Sequence, residues 1–196
     1  MDMNMTPAMY TDLASRTDTD SFSIDRVPFS TVLFAVEDVL AAAKAIDAIK
    51  KSIFYRRDTQ LPQYPERTSI EGSPYEDADI ESVNSHLFHA ALGFITEGAE
   101  FLDLVMQQAC GGLDDPRQLP LELGDMAWYT AQAVKALEVS HETVWEMNIE
   151  KLRRRFPDGF SYEAANTRDV HAEEQGLTVR KMSAGSVGGD SGGAPY

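Results

Sequence analysis

Cysteine is nearly absent: Cys110 stands alone in a chain of 196 residues. An intramolecular disulfide is therefore excluded, and a reducing, cytoplasmic setting is expected. Cys110 also lacks a neighbouring His or basic residue in sequence, which argues against nucleophilic use. No apolar run approaches the roughly 20 residues that a membrane helix needs. The stretch from Met1 to Asp25 has neither the basic start nor the apolar core of a secretory signal, so none is expected. Positive charge is scarce: 17 Lys and Arg face 32 Asp and Glu, for a net charge of −15. That balance argues against general affinity for nucleic acid or an anionic membrane, because both are negative. It leaves room for a small anion escorted by a metal, and solubility alone is the plain alternative. Period-two alternation of useful length is missing, and so is any internal repeat.

What is present is helical patterning. Residues 1–28 are polar and read as an extended or mobile arm. Residues 29–178 read as one all-α domain, a bundle of about five helices, and 179–196 as a Gly/Ser-rich disordered tail. Ser30 is the expected N-cap of the first helix, whose apolar positions run from Val32 to Ile49. That helix ends in a basic and aromatic cluster, Lys50-Lys51-Ser52-Ile53-Phe54-Tyr55-Arg56-Arg57. Pro62, Pro65, Gly72 and Pro74 mark a long loop. A second helix is expected from near Asp79 to Gly111, with Leu87, Ala91, Phe94, Gly98, Leu102 and Val105 as its core stripe. The third carries Leu123, Met126, Thr130, Val134 and Leu137 inward. Ser140 caps a fourth, ending near Phe156, and Ser161 a fifth, reaching Gln175.

Two acid pairs concentrate the chemistry. Glu97 and Glu100 lie three apart on the second helix, and Glu122 and Asp125 three apart on the third. Residues at that spacing share a helix face. A hairpin would bring all four carboxylates together, and they would repel one another unless a cation sat between them. All-oxygen clusters suit Mg²⁺ or Mn²⁺. A single such pair ordinarily marks a solvated face; two pairs on consecutive helices, beside the core stripe, are harder to dismiss. Gly98 and Gly124, costly inside helices, suggest close helix approach there. His86 and His89 lie at least two turns before Glu97 and fall outside this site.

Glu97-x-x-Glu100, a spacer of 21 residues, and Glu122-Leu123-Gly124-Asp125 followed by Met126-Ala127-Trp128-Tyr129 resemble the signature of MazG-like all-α nucleoside triphosphate pyrophosphohydrolases. So does Asn148-x-x-Lys151-Leu152-x-x-Arg155-Phe156-Pro157-x-Gly159-Phe160. Ala165-Asn166-Thr167-Arg168-Asp169 is similar to a version common in phage-encoded members. The resemblance spans about residues 44–175. It implies cleavage of a (deoxy)nucleoside triphosphate to the monophosphate and pyrophosphate, in the host cytoplasm if the chain is phage-encoded. Glu97, Glu100, Glu122 and Asp125 would hold two or more Mg²⁺ or Mn²⁺ ions. Lys151 would join them in catalysis, and Asn148, Lys151, Arg155 and Arg168 would bind substrate. Lys50, Lys51 and Tyr55 are placed to close over the phosphates, although a solvated basic helix end is the equal alternative. Trp128 offers a ring for base stacking, although core packing is commoner; Trp145 reads as core. The family assembles as homodimers and homotetramers, and the apolar face of the first helix fits that expectation.

The base is not legible. One phage-type branch, the MazZ-like one, acts on dGTP or GTP and supplies dGMP for 2-aminoadenine nucleotides; a broad housekeeping activity is the competing expectation. Two other classes stand beside these. A di-iron bundle would want paired Glu-x-x-His motifs, and only Glu138-x-x-His141 occurs. An acidic helical interaction protein without catalysis would spread its acids over a surface.

Overall fold

All regular structure among the described residues is helical. The computed structural model describes residues 5–19, 23–63, 71–77, 79–112, 115–167 and 169–174. They fall into two compact units, Asp20–Leu137 and a second formed by Met1–Thr19 with Glu138–Tyr196. No described helix is long and apolar enough to cross a membrane.

Helix α1 (Pro7–Ser15) belongs to the second unit. It replaces part of the extended arm expected over residues 1–28. Its start is chemically ordinary: the Thr6 side chain accepts from the Met9 N–H, and Pro7 occupies the first turn, where its missing N–H costs nothing. The low apolar content of residues 1–28 hid it, since α1 buries none of its residues fully.

The first unit is built from α2 (Phe29–Tyr55), α3 (Ser85–Ala109) and α4 (Gln118–Ala136). α3 packs against both of the others. Pro28, rather than Ser30, is the N-cap residue of α2, so Ser30 lies inside the first turn. α2 ends at Arg56, which takes the left-handed conformation at φ 51° and hands its neighbour's N–H to the Lys51 carbonyl. α3 begins at its Asn84 cap, whose side chain accepts from the His86 and Leu87 N–H groups, several residues later than the expected Asp79. A separate 3-10 turn, Ile80–Ser82, occupies the intervening stretch. Gly111 and Gly112, at φ 132° and 136°, close the α3 end as expected for glycine.

The buried face of α3 differs from the expected stripe. Ala90, Gly93, Thr96, Glu97, Ala99 and Leu104 are buried, whereas Phe94, Ile95 and Val105 are exposed. The small side chains let a neighbouring helix come close, and the large ones are left on the outside. Gly93 is where closeness is required: a Cβ there would collide with the Tyr129 ring of α4. Gly98 and Gly124, expected to serve this purpose, face open space. On α4, Tyr129 and Val134 are buried, while Leu123 and Leu137 are exposed.

The second unit combines α1 with α5 (His141–Arg155), α6 (Tyr162–Asn166) and α7 (Val170–Glu174). Ser140 caps α5 by accepting from Thr143, as expected. Val139, Ile149 and Phe156 form its apolar centre. Ser161 caps α6, but the expected fifth helix is two short pieces rather than one run to Gln175. The expected tail over 179–196 lies outside the described residues.

Candidate metal and phosphate site

Three of the four sequence-selected acids meet. Glu97 of α3 and Glu122 and Asp125 of α4 each offer a carboxylate oxygen, and these atoms all lie within 4.8 Å of one another. Glu97 is largely buried, Glu122 half-buried and Asp125 exposed. The grouping is thus open on one side and anchored on the other. Glu100 contributes no oxygen to it. It lies exposed one turn along α3, and with Asp47, Asp103 and Lys44 it lines a cleft of about 170 Å³ between α2 and α3.

Lys50 supplies the anchor. Its Nζ lies 3.0 Å from Glu97 Oε1, 3.5 Å from Asp47 Oδ1 and 2.7 Å from Thr96 Oγ1. The Thr96 hydroxyl also lies 2.8 Å from Glu97 Oε1. Lys50 is 4% exposed, so it is no solvated helix end. Nor does it reach outward over a ligand; its ammonium is spent on the floor of the acid group and sits 5.2 Å from the centre of the Tyr129 ring. Burial alone would depress this ammonium, but the hydrogen bond to Glu97 and that carboxylate's charge more than offset it and hold Lys50 above its ordinary range. Lys51 pairs with Asp47 on its own helix.

The acids themselves show the strain of crowding. Glu122 is raised above its ordinary value by burial and by the charges of Glu100, Glu97 and Asp125. Glu100 is raised by burial, Glu97 and Asp47. A divalent cation coordinated by carboxylate oxygens would relieve that repulsion, and the donor set fits Mg²⁺ or Mn²⁺.

An aromatic group adjoins the acids. His89 stacks on Phe54, with ring centres 4.1 Å apart, and meets Tyr129 and Trp128 edge-on at 5.4 and 6.0 Å. The Tyr55 hydroxyl lies 3.3 Å from His89 Nε2. Trp128 is 49% exposed, so it is not the core residue that the commoner pattern suggests. Sequence spacing places His89 outside the site, two turns before Glu97. It shares this neighbourhood because α2 and α4 deliver the other rings.

The remaining sequence-selected residues lie on the second unit. Asn148 and Lys151 are half-buried on α5. Asn148 accepts from the Tyr10 hydroxyl at 3.2 Å. Arg155 is engaged within its own unit. Its guanidinium donates to the Ala165 carbonyl at 3.0 Å, pairs with buried Glu173 at 3.8 Å, and lies over the Phe156 ring. Those contacts pin α6 and α7 to α5. Arg168 lies outside the described residues.

No family model, curated protein or solved structure matches the chain.

Proposed function

We propose that this chain is a divalent-metal-dependent pyrophosphohydrolase of nucleoside triphosphates, the reading its MazG-like motifs imply. The observation that carries it is the convergence of Glu97, Glu122 and Asp125 from two helices to within 4.8 Å. Glu97, Glu122 and Asp125 would hold the cations, with Glu100 beside them. Bound Mg²⁺ or Mn²⁺ would polarise a phosphoryl oxygen and lower the pKa of a bound water. Lys50 and Thr96 hold Glu97 in one orientation, so the first ligand is preorganised rather than recruited. The reaction adds water across the α–β anhydride, giving the monophosphate and pyrophosphate.

Several features support a nucleotide as the substrate. The half-exposed Trp128 ring can stack on a base. Asn148 and Lys151, three apart on α5, carry the donors that a polyphosphate needs, and among the described residues Lys151 makes no ion pair. Guanine preference, with dGMP feeding 2-aminoadenine synthesis, is the specific version of this reading; broad specificity is the general one. Association into a homodimer or homotetramer belongs to the same proposal. Phe34, Val39, Ile95, Leu121 and Leu123 are large apolar residues on the exposed surface of the first unit, and a second copy would cover them.

The test is direct. Each common ribo- and deoxyribonucleoside triphosphate is incubated with the protein and Mg²⁺ or Mn²⁺, and the products are separated. Pyrophosphate with monophosphate is expected, and Glu122→Gln should abolish it. Orthophosphate release rejects the mechanism, and equal rates for all bases reject the guanine version. An acidic interaction protein would instead retain its binding in Glu122→Gln. A monomeric mass by light scattering removes the oligomer.

A further inference from the structure

The Lys50 ammonium is enclosed as a bound cation is. Oxygens of three residues from two helices surround its Nζ: Thr96 Oγ1 at 2.7 Å, Glu97 Oε1 at 3.0 Å and Asp47 Oδ1 at 3.5 Å. The Tyr129 ring closes a further side, with its centre 5.2 Å away. The other oxygen of Asp47, Oδ2, is taken by Lys51. At 4% exposure, Lys50 puts a resident positive charge between two carboxylates, on a tether from α2.

The consequence falls on Glu97. A carboxylate oxygen has about two lone-pair sites. At Oε1 one is filled by Lys50 and the other by the Thr96 hydroxyl, 2.8 Å away. That hydroxyl has a single hydrogen, and its competing acceptor, the Gly93 carbonyl at 3.1 Å, is farther away and uncharged. Oε2 is the oxygen left for a metal. Paired divalent ions stand about 3.5–4 Å apart, close enough to share a carboxylate, one oxygen to each ion. Glu97 cannot be shared in that way while Oε1 holds the ammonium. Glu100 does not replace it, because it gives no oxygen to the group.

We propose that Lys50 fills the second cation position of this site, so that each chain takes one divalent ion, on Glu97, Glu122 and Asp125, where the MazG-like pattern implies two or more. The inference rests on the metal reading above and narrows it: one ion and one ammonium together neutralise the acids. Every residue it uses lies on α2, α3 or α4 of the first unit.

Counting ions tests it without any turnover. Metal-free protein is titrated with Mn²⁺ at pH 7, by calorimetry and by electron paramagnetic resonance, which separates isolated Mn²⁺ from magnetically coupled pairs. Ions that Glu122→Gln also binds belong to the general acidic surface and are subtracted. Wild type should then hold one uncoupled ion per chain. Lys50→Met frees Glu97 Oε1 and Asp47 Oδ1, so its count should double and coupling should appear. Adding Asp47→Asn to Lys50→Met should return the count to one. Lys50→Gln, uncharged and able to ligate through its amide oxygen, is the milder variant should Lys50→Met not fold, and it too should take a second ion. A coupled pair in wild type, or a count that stays at one in the Lys50 variants, overturns the proposal and leaves the metal reading standing. If wild type binds no ion that Glu122→Gln loses, the metal reading falls and the proposal with it.

Discussion

Lys50 Nζ lies 3.0 Å from Glu97 Oε1, with the Lys50 side chain 5% and the Glu97 side chain 11% exposed. The pair joins α2 to α3 across residues far apart in sequence. It places an ammonium under the most buried member of the acid group. Breaking such a pair from one side strands the other charge.

Lys50→Met should therefore destabilise the protein by about 3–5 kcal/mol, the usual cost of orphaning a buried charge. Lys50→Met combined with Glu97→Gln should recover part of that loss, because no bare carboxylate remains. Denaturant titration of the four proteins of this cycle checks it. A Lys50→Met protein as stable as wild type would show that the Lys50–Glu97 pair does not hold α2 to α3.

Gly93 makes a prediction of opposite sign from its fellow glycines. A methyl at position 93 collides with the Tyr129 ring, and that ring is buried between helices and cannot swing away cheaply. Gly93→Ala should cost about 1–3 kcal/mol, the range for overpacking. Gly98→Ala and Gly124→Ala meet nothing, and should stabilise by up to about 1 kcal/mol through helix propensity. Thermal melts of the three variants decide it; equal shifts in all three would mean that the α3–α4 approach is looser than the geometry indicates.

These glycines also show what one sequence reveals and what it conceals. Helix ends with a side-chain cap were legible: Ser140 and Ser161 cap the helices they were expected to cap. The acid pairs were legible because spacing along a helix fixes a shared face. The buried face of α3 was not, because Phe94 and Val105 look like core, whereas the fold buries small residues to bring helices close. Nothing in the sequence marks Gly93, rather than Gly98, as the glycine of close approach. Lys50 and Arg155 were read as outward-facing cations; their partners, Glu97 and Glu173, are brought to them only by the fold. α1 escaped notice because its anchors, Trp145 and Asn148, lie in the distant second half of the chain.

His89 gives a pH dependence with a definite sign. Burial holds its imidazole below the ordinary 6.5, with the positive charges of Lys50 and His86 adding to the effect. The folded protein therefore prefers the neutral ring more strongly than the unfolded chain does. Its contribution is complete above pH 6.5 and is lost as pH falls from there toward the lowered folded value. His89→Phe should keep the stacking on Phe54 and remove this slope. Tm measured from neutral pH down to about pH 5 should fall less steeply in His89→Phe than in wild type. Parallel curves would assign the slope to other groups.

Metal binding should be visible in stability before any turnover is measured. Glu100 and Glu122 are held above their ordinary 4.5, by burial first and then by neighbouring carboxylates. A raised carboxylate means that ionisation costs the folded state. That cost is absent below the ordinary value and complete above the raised one, so these two groups make the metal-free protein less stable as pH rises through this window. A divalent cation binds the ionised form and removes the repulsion. Millimolar Mn²⁺ or Mg²⁺ should raise Tm at pH 7, with a gain of about 2.7 kcal/mol if the ion is at a hundred times its Kd. Near pH 4.5 the gain should shrink, because protons compete for the same oxygens. Glu122→Gln and Asp125→Asn should each suppress the gain at pH 7, whereas a substitution at Glu100, which gives no oxygen to the group, should reduce it less. Calorimetric titration at both pH values measures the affinity directly. If Mn²⁺ leaves Tm unchanged at pH 7, or if the gain persists undiminished in Glu122→Gln, the three converging carboxylates are a solvated acidic surface and not a metal centre.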